Sequence, residues 1–287
     1  MIDITNCQKV ASDFEGSERK FAILYHNEVY MIKEPDPIRE KNNELSYMNN
    51  TFSEHIGCQI FKLLHIPVQD TFLATYTRPD GKNEIVVACK DFRKSGEQLY
   101  EADKFAKSLI DSRNMTKPDY TDIQKIFNEV KDQMTEDAEQ RFWEIFVIDG
   151  LIGNKDRHLG NWGFLSSDRI HLTLAPVYDC GSSLGALVDD TVLQKCLDKP
   201  GLMSNVECNI STRFLLHGRR VTYREVFEHP MDKLVITMKQ IIPQIEMSQI
   251  EELVENIPAL SSLRKEYIVA SIRMRYEQIL CRAMKKL

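Results

Sequence analysis

Residues 142–152 constrain the fold most strongly, because apolar side chains occupy almost every position of this stretch. A helix that is apolar on all sides is found in the centre of a protein rather than on its surface. Thr135 or Asp137 is suited to cap such a helix, since either side chain can accept a hydrogen bond from the first turn. We therefore predict a buried central helix that begins after one of these residues and ends at about Ile152.

The first part of the chain has a different pattern, in which short runs alternate apolar and polar side chains as strands do. His26-Asn27 separates one pair of runs and Arg78-Pro79-Asp80-Gly81 separates a second pair, and both are turn-forming sequences. The four predicted strands are residues 20–25, 28–33, 71–76 and 84–89. Between the two hairpins, residues 53–64 have apolar side chains at helical spacing, so one helix is predicted there.

These patterns divide the chain into two parts. Its 287 residues exceed the roughly 100–200 residues of one ordinary domain. We predict an α+β fold with a small β-rich lobe at residues 1–91 and a larger, mainly helical lobe at residues 92–287, with a hinge near residues 88–92. In the second lobe, residues 162–165 and 170–174 are predicted as two short strands. The C-terminal hundred residues read as several helices, broken near Pro230, Pro243 and Pro258.

Composition argues against several classes of protein. The net charge is −6 and no long basic run is present, so we expect no DNA binding. Four arginines in residues 213–224 are either a solvated face or a docking surface. The seven cysteines are scattered without C-x-x-C spacing, and neither a secretory signal nor a membrane-length apolar run is visible. We predict a reduced, cytoplasmic chain with no membrane contact; export without a cleaved signal stays open.

Three polar residues after the predicted central helix have the chemistry of a phosphate site. Asp156 and Asn161 lie five positions apart in a glycine-flanked loop, and Asp179 follows the second short strand. Phosphoryl transfer needs one carboxylate that orients the attacking hydroxyl, and an amide oxygen and a second carboxylate that hold Mg²⁺. Asp and Asn also satisfy the backbone of ordinary turns. The order Asp, Asn and Asp-x-Gly is that of protein kinases, which favours the phosphate site.

These segments resemble the HipA-like serine/threonine kinases. The short length of the chain and the amino-acid sequence of the loop are most similar to the CtkA-like branch of that family. The catalytic loop of that family reads N-x-D-x-H-x-x-N, which residues 154–161 match, and its YD-containing metal motif is matched at Tyr178 and Asp179. The resemblance implies a protein-kinase-like bilobal fold, ATP and Mg²⁺ as cofactors, and a protein substrate. It also implies Asp156 as the catalytic base, with Asn161 and Asp179 as Mg²⁺ ligands.

The same resemblance gives roles to three further side chains. Lys33 closes an apolar strand and would hold the α/β-phosphates, or it is an ordinary lysine at a strand end. Glu54 would pair with Lys33, or it would simply favour the N-terminus of its helix. His158 would brace the catalytic loop, or it would be a buried structural histidine.

Four more residues are assigned to the nucleotide by their position relative to the family pattern. Backbone groups near Lys90 and Phe92 would meet the adenine edge at the hinge. Gly16 and Lys20 would line the phosphates. Here the sequence departs from the family, because its glycine-rich or G-x-Q-x-K loop is reduced to a single glycine with a trailing lysine.

The function predicted from these residues is that of an ATP- and Mg-dependent serine/threonine protein kinase that phosphorylates itself. A phosphoinositide or other small-molecule kinase is an alternative, because lipid kinases also carry a D-R-H-x-x-N loop. A nucleotide-binding pseudokinase that acts as an interaction module is a second alternative. The joint presence of Lys33, Asp156, Asn161 and Asp179 speaks against lost catalysis. The identity of the protein substrate cannot be read from the sequence.

Overall fold

The computed structural model of the protein describes residues 1–11, 20–36, 49–109 and 117–287. The strands are β1 Ile2–Asp3, β2 Gln8–Val10, β3 Lys20–Tyr25, β4 Glu28–Lys33, β5 Thr71–Thr77, β6 Asn83–Lys90, β7 Gln98–Glu101, β8 Gly163–Ser166, β9 Thr173–Leu174, β10 Ser211–Leu216 and β11 Arg219–Thr222. The α-helices are α1 Asn50–Leu63, α2 Ala102–Leu109, α3 Tyr120–Val130, α4 Ala138–Ile152, α5 Asp190–Asp198, α6 Pro200–Glu207, α7 Tyr223–Glu228, α8 Asp232–Ile241, α9 Met247–Glu255, α10 Ser262–Arg275 and α11 Arg282–Met284. The predicted α+β class is confirmed by this mixture.

A six-stranded sheet with the order β1-β5-β6-β4-β3-β2 occupies the N-terminal part of the chain. Only β1 runs parallel to its neighbour, β5, and the other neighbouring pairs are antiparallel. β3 and β4 coincide with the predicted strands, and His26 and Asn27 turn the chain between them with φ values of 49° and 62°. β5 and β6 are each slightly longer than predicted. The short strands β1 and β2 were missed, since two or three residues are too few to show alternation.

Helix α1 connects this sheet with the helical part of the molecule. It contacts β5 and β6 on one side and α4 and α9 on the other. The helix begins three residues earlier than the predicted start at residue 53, and ten of its residues are buried. One of them is Glu54, whose side chain is 1% exposed and therefore requires polar partners inside the protein.

The predicted central helix is α4, and its surroundings explain its apolar composition. Asp137, rather than Thr135, is its N-cap, with a side-chain oxygen that accepts a hydrogen bond from the Gln140 N–H at 2.9 Å. The helix ends at Ile152, as predicted. Aromatic residues of α4 pack against α3 and β10, with ring centroids 5.1 Å apart for Tyr120 and Trp143 and 5.7 Å apart for Phe146 and Phe214. The main apolar core is built around this helix.

The short hairpin after α4 differs in part from the prediction. Its strands β8 and β9 are found, but β9 starts at Thr173, and Ile170 lies exposed in the connecting turn. A third strand, β7, pairs with β8 and had no sequence signal of its own. The hairpin therefore lies in a three-stranded sheet directly after the loop that contains Asp156 and Asn161.

The C-terminal region contains the predicted helices and one unpredicted hairpin. Pro230 lies between α7 and α8, Pro243 lies in a 3₁₀ turn at Ile242–Gln244, and Pro258 lies between α9 and α10. The hairpin of β10 and β11 turns at His217 and Gly218, which both have positive φ. Because its arginines interrupt the alternation of apolar and polar side chains, no strand was predicted there. Over the part of the chain that the structure describes, no helix has the length and apolar character needed to cross a membrane.

Candidate active site

A buried carboxylate at the end of α4 organises the loop that follows. Asp149 accepts hydrogen bonds from Arg157 at Nε–Oδ2 2.8 Å and Nη2–Oδ1 3.1 Å, which is the two-point geometry of a strong ion pair. It also accepts the Asn154 side-chain amide at 2.9 Å. Burial favours the neutral form of Arg157, but the charge of Asp149 outweighs this and holds the pKa of Arg157 above its usual value. The loop is thus attached to the helix through two buried charges.

Arg157 also connects the two segments that carry the predicted metal ligands. Its Nη1 donates to the backbone carbonyl of Asn161 at 2.8 Å and to that of Tyr178. Asp179 is the next residue after Tyr178. One guanidinium therefore fixes the backbone at Asn161 and beside Asp179, although the two lie far apart in the sequence. Arg157 was noted in the sequence only as part of the loop pattern, and this role was missed.

Asp156 and Asn161 are joined within the loop itself. The Asn161 side-chain Nδ2 donates to the Asp156 carbonyl at 2.8 Å, so Oδ1 is the atom of this amide with the chemistry of a metal ligand. The Asp156 N–H donates to the Asn154 side chain at 3.0 Å. Neither of these hydrogen bonds uses the Asp156 carboxylate. Arg213 of β10 forms an ion pair with its Oδ1.

His158 is exposed, which corrects the alternative of a buried structural histidine. Its Nδ1 accepts a hydrogen bond from the Gly160 N–H at 3.0 Å and caps the 3₁₀ turn Leu159–Asn161. His158 also donates its own N–H to the Asp156 carbonyl at 2.8 Å. The predicted bracing of the loop by His158 therefore agrees with these contacts.

Lys33, Glu54 and Asp179 meet between β4, α1 and the segment after β9. Lys33 Nζ lies 3.1 Å from Asp179 Oδ1 and 3.6 Å from Glu54 Oε1. The Asp179 N–H donates to Glu54 Oε1 at 3.1 Å. Burial alone would raise the pKa of Asp179, but the charge of Lys33 and its hydrogen bond lower it below its ordinary value. The predicted pairing of Glu54 with Lys33 is confirmed, and Asp179 is held in its ionised form.

The backbone at this point is both strained and tightly packed. Asp179 has a φ of 61°, in the left-handed region that non-glycine residues seldom adopt. A β-carbon on Gly57 of α1 would lie 2.6 Å from the β-carbon of Cys180, so only glycine lets the helix come this close. The bond to Glu54 and the packing at Gly57 together hold Asp179 in its uncommon conformation.

Three further residues were predicted to contact the nucleotide, and their surroundings differ. Lys20 lies opposite Lys33 in the ladder of β3 and β4, at the same end of the sheet. Gly16 falls outside the described residues. Lys90, predicted to lie near the adenine edge, has several contacts within the protein: its N–H donates to the Asp70 carbonyl, its carbonyl accepts from the Gln69 side chain at 2.9 Å, and its ammonium pairs with Glu28. The Lys90 N–H is therefore already used within the protein, whereas its carbonyl oxygen has a second lone pair.

Phe92 lies two residues beyond β6, beside Tyr178. The N–H groups on either side of it already have acceptors, since Asp91 donates to Val29 and Arg93 donates to the Asp91 side chain. The Phe92 ring lies 5.8 Å from that of Tyr178. The adenine contacts near Lys90 and Phe92 both stay predictions.

The donor atoms at the site suit the predicted metal ion. Mg²⁺ is usually bound by one or two protein oxygen ligands together with phosphate oxygens. The ionised Asp179 and the Asn161 amide oxygen are ligands of this kind, whereas no group of three or more His, Cys, Asp or Glu side chains in the described ranges is arranged to hold a metal by itself. The residues therefore fit Mg²⁺ bound together with a nucleotide.

A family model, a protein sequence and a solved structure all relate this chain to HipA-like proteins. The family model of the HipA-like C-terminal domain matches residues 12–241. The chain is 32% identical to Serine/threonine-protein kinase CtkA of Helicobacter pylori over an alignment of 288 positions, which covers 97% of this chain and 86% of that protein. It superposes on the crystal structure of the Helicobacter pylori proinflammatory kinase CtkA with a TM-score of 0.88 and 30% identity, covering 99% of this chain and 97% of the other.

A more distant likeness extends to a longer protein. HipA of Shewanella oneidensis, solved with HipB and operator DNA, superposes with a TM-score of 0.57 at 13% identity, covering 97% of this chain and 65% of that one. At this identity the likeness concerns the fold alone. The predicted enzyme class, a kinase, is confirmed by the similarity to CtkA. With a family model that matches most of its length, the chain belongs to the family of the HipA-like C-terminal domain.

Proposed function

We propose that the protein is an ATP- and Mg-dependent serine/threonine protein kinase that phosphorylates itself. The observation that carries the proposal is the meeting of Lys33, Glu54 and Asp179, which brings a lysine of the sheet to a carboxylate beside the catalytic loop. The similarity to CtkA supports a protein substrate rather than a lipid. The lobes proposed for this activity are residues 1–91 and 92–287, with the nucleotide between them.

In this proposal each residue has one task. Lys33 neutralises the α/β-phosphates, and Glu54 orients the Lys33 ammonium. Asp179 and Asn161 would hold Mg²⁺, which would neutralise the charge of the phosphates. The Phe92 backbone meets the adenine edge, and Lys20 lines the phosphates. Asp156 accepts or orients the proton of the substrate hydroxyl, which requires its carboxylate to leave or share the contact with Arg213.

Mass spectrometry of the protein after incubation with ATP and Mg²⁺ tests the proposal. Phosphate on serine or threonine of the protein, absent when EDTA replaces Mg²⁺, is the expected result. A parallel assay with radiolabelled ATP compares a protein mixture with phosphoinositide vesicles. Label in lipid alone would establish a lipid kinase. Binding of ATP·Mg without transfer or hydrolysis would establish a pseudokinase.

A further inference from the structure

A cationic cavity lies directly beside the proposed catalytic base. It has a volume of about 320 Å³ and is bordered by β10, β11 and the loop after α4. Four of its lining residues are cationic: Lys117, Lys155, Arg213 and Arg220. Lys155 immediately precedes Asp156, and Arg213 forms an ion pair with Asp156. The cavity and the site of phosphoryl transfer therefore share one wall.

The positive charge of this cavity is not balanced by its own walls. None of the described residues that line it is acidic, although the chain as a whole has a net charge of −6. The nearby carboxylate of Asp119 is occupied by α3 and the hairpin turn, since it accepts the N–H groups of Thr121 at 3.2 Å and Gly218 at 2.7 Å. Cations that face one another in a cleft repel, and an anion that enters the cleft relieves this repulsion.

Arg213 has a donor that the described protein does not use. Its Nη2 contacts Asp156, but its buried Nε has no hydrogen-bond acceptor among the described residues. A buried donor without an acceptor is destabilising, and a guanidinium binds carboxylates in a two-point geometry. Because the Arg213 side chain is 39% exposed, an incoming carboxylate can compete with Asp156 for its guanidinium and release Asp156 for the substrate hydroxyl.

We propose that this cavity binds the acidic side chains that flank the acceptor serine or threonine of the protein substrate. This inference rests on the proposed function and names the substrate class of the same site. An extended peptide advances about 3.3 Å per residue, so the acidic residues lie within a few positions of the acceptor. Arg213 and Lys155 contact the nearer carboxylate, and Lys117 and Arg220 contact the one farther from Asp156.

Binding is measured first, because it does not depend on turnover. The probe is a fluorescent peptide with glutamates on both sides of an alanine in the acceptor position, and its partner has glutamine in place of each glutamate. The test variant is Arg220→Glu, and the matched control is Arg219→Glu. Arg219 is the neighbouring residue on β11, is not part of the cavity and pairs with Glu225 instead. Both variants change the net charge equally.

We expect the wild-type protein to bind the glutamate peptide more tightly, and Arg220→Glu to weaken that binding about tenfold, as expected when an exposed attraction becomes a repulsion. Arg219→Glu should weaken it by less than about twofold, because its charge lies outside the cavity. Lys117→Glu serves as the second test variant if Arg220→Glu does not fold. Equal loss in Arg219→Glu and Arg220→Glu, or no preference for glutamate, would overturn the proposal.

A kinetic assay then separates this inference from the kinase proposal. With serine at the acceptor position, Arg220→Glu should raise the KM for the glutamate peptide by the same factor and change kcat little. Selective binding without any transfer would retain the cationic cavity and refute the kinase. Transfer to both peptides at equal kcat/KM would retain the kinase and refute the cavity. Binding of a phosphoserine peptide but not of the glutamate peptide would show that the assigned occupant is wrong.

Discussion

Asp149 and Arg157 form a two-point ion pair inside the protein, with side chains that are only 1% and 6% exposed. Through Arg157 this pair reaches the backbone at Asn161 and Tyr178, so a buried ion pair helps to determine where the candidate metal ligands lie. Asp149→Asn removes one buried charge and leaves the other without its counter-ion, which costs about 3–5 kcal/mol. We expect a correspondingly lower midpoint in urea unfolding, together with loss of autophosphorylation.

The matched control for Asp149→Asn lies on the same helix. Glu144 pairs with Arg141 at 2.9 Å, but both residues of that pair are partly exposed. Glu144→Gln should therefore cost about 1 kcal/mol or less and leave phosphorylation intact. If both substitutions lowered the unfolding midpoint equally, the Asp149–Arg157 pair would not have the organising role assigned to it.

The turn after α4 gives a second prediction, on stability. Gly153 ends the helix with a φ of 67°, and a β-carbon there would lie 2.9 Å from Arg275 Nη1 and 2.9 Å from Ile210 Cδ1. Gly153→Ala should destabilise the protein by about 1–3 kcal/mol, because the backbone strain and the close contacts add together. Gly201→Ala in α6 is the control, since its β-carbon would meet no atom within 4 Å; it should be neutral or slightly stabilising. Thermal unfolding of the two variants tests this, and equal shifts would contradict it.

A third prediction concerns pH and His55. His55 faces β5 from α1, with Nδ1 at 2.9 Å from Thr71 Oγ1, and burial lowers its pKa from 6.5 to about 4. Between these pH values the unfolded chain binds a proton at this position and the folded protein does not. Stability should therefore fall as the pH drops from 6.5 towards 4, by about 3 kcal/mol in total, because each pKa unit corresponds to about 1.4 kcal/mol.

Urea unfolding at several pH values measures this dependence. His55→Gln should flatten the curve over the same interval, because glutamine does not titrate. His229→Gln, which changes an exposed histidine after α7, should leave the slope as it is in the wild-type protein. A wild-type curve without this slope, or one that persists in His55→Gln, would contradict the prediction.

Local signals explain why much of the fold was predictable. The turn at His26-Asn27, the alternation in β3 to β6 and the apolar helix α4 each depend on residues close together in the chain. β7 and the hairpin of β10 and β11 were not predictable in this way. β7 is stabilised by pairing with β8, and the Phe214 ring of β10 packs on α4; neither partner is close in sequence.

The residues of the candidate site likewise include some that the sequence predicts and others that it does not. Asp156, Asn161 and Asp179 stand in a recognisable order, whereas Arg213 comes from a hairpin 57 residues after Asp156. A signal for Asp149 did exist, because a carboxylate in the apolar C-terminal part of this helix must have a buried partner. Which residue provides that partner depends on the path of the loop, and only the structure shows it to be Arg157. The backbone hydrogen bonds of Lys90 could not be predicted either, because the sequence does not show which backbone groups the protein already uses.

The last prediction separates the two carboxylates of the proposed site. Asp156 contacts Arg213 and lies at the loop surface, whereas Asp179 contacts Lys33 and has a lowered pKa. Asp156→Asn should reduce kcat about 10²–10⁴-fold, the usual contribution of a general base, with little change in ATP affinity. Asp179→Asn should also weaken ATP binding in the presence of Mg²⁺, because it removes a charged oxygen ligand.

Single-turnover phosphorylation and calorimetric ATP titration, each with and without Mg²⁺, distinguish the two effects. Full autophosphorylation by Asp156→Asn would show that the base lies elsewhere, and equal nucleotide affinity in both variants would remove Asp179 from the metal site.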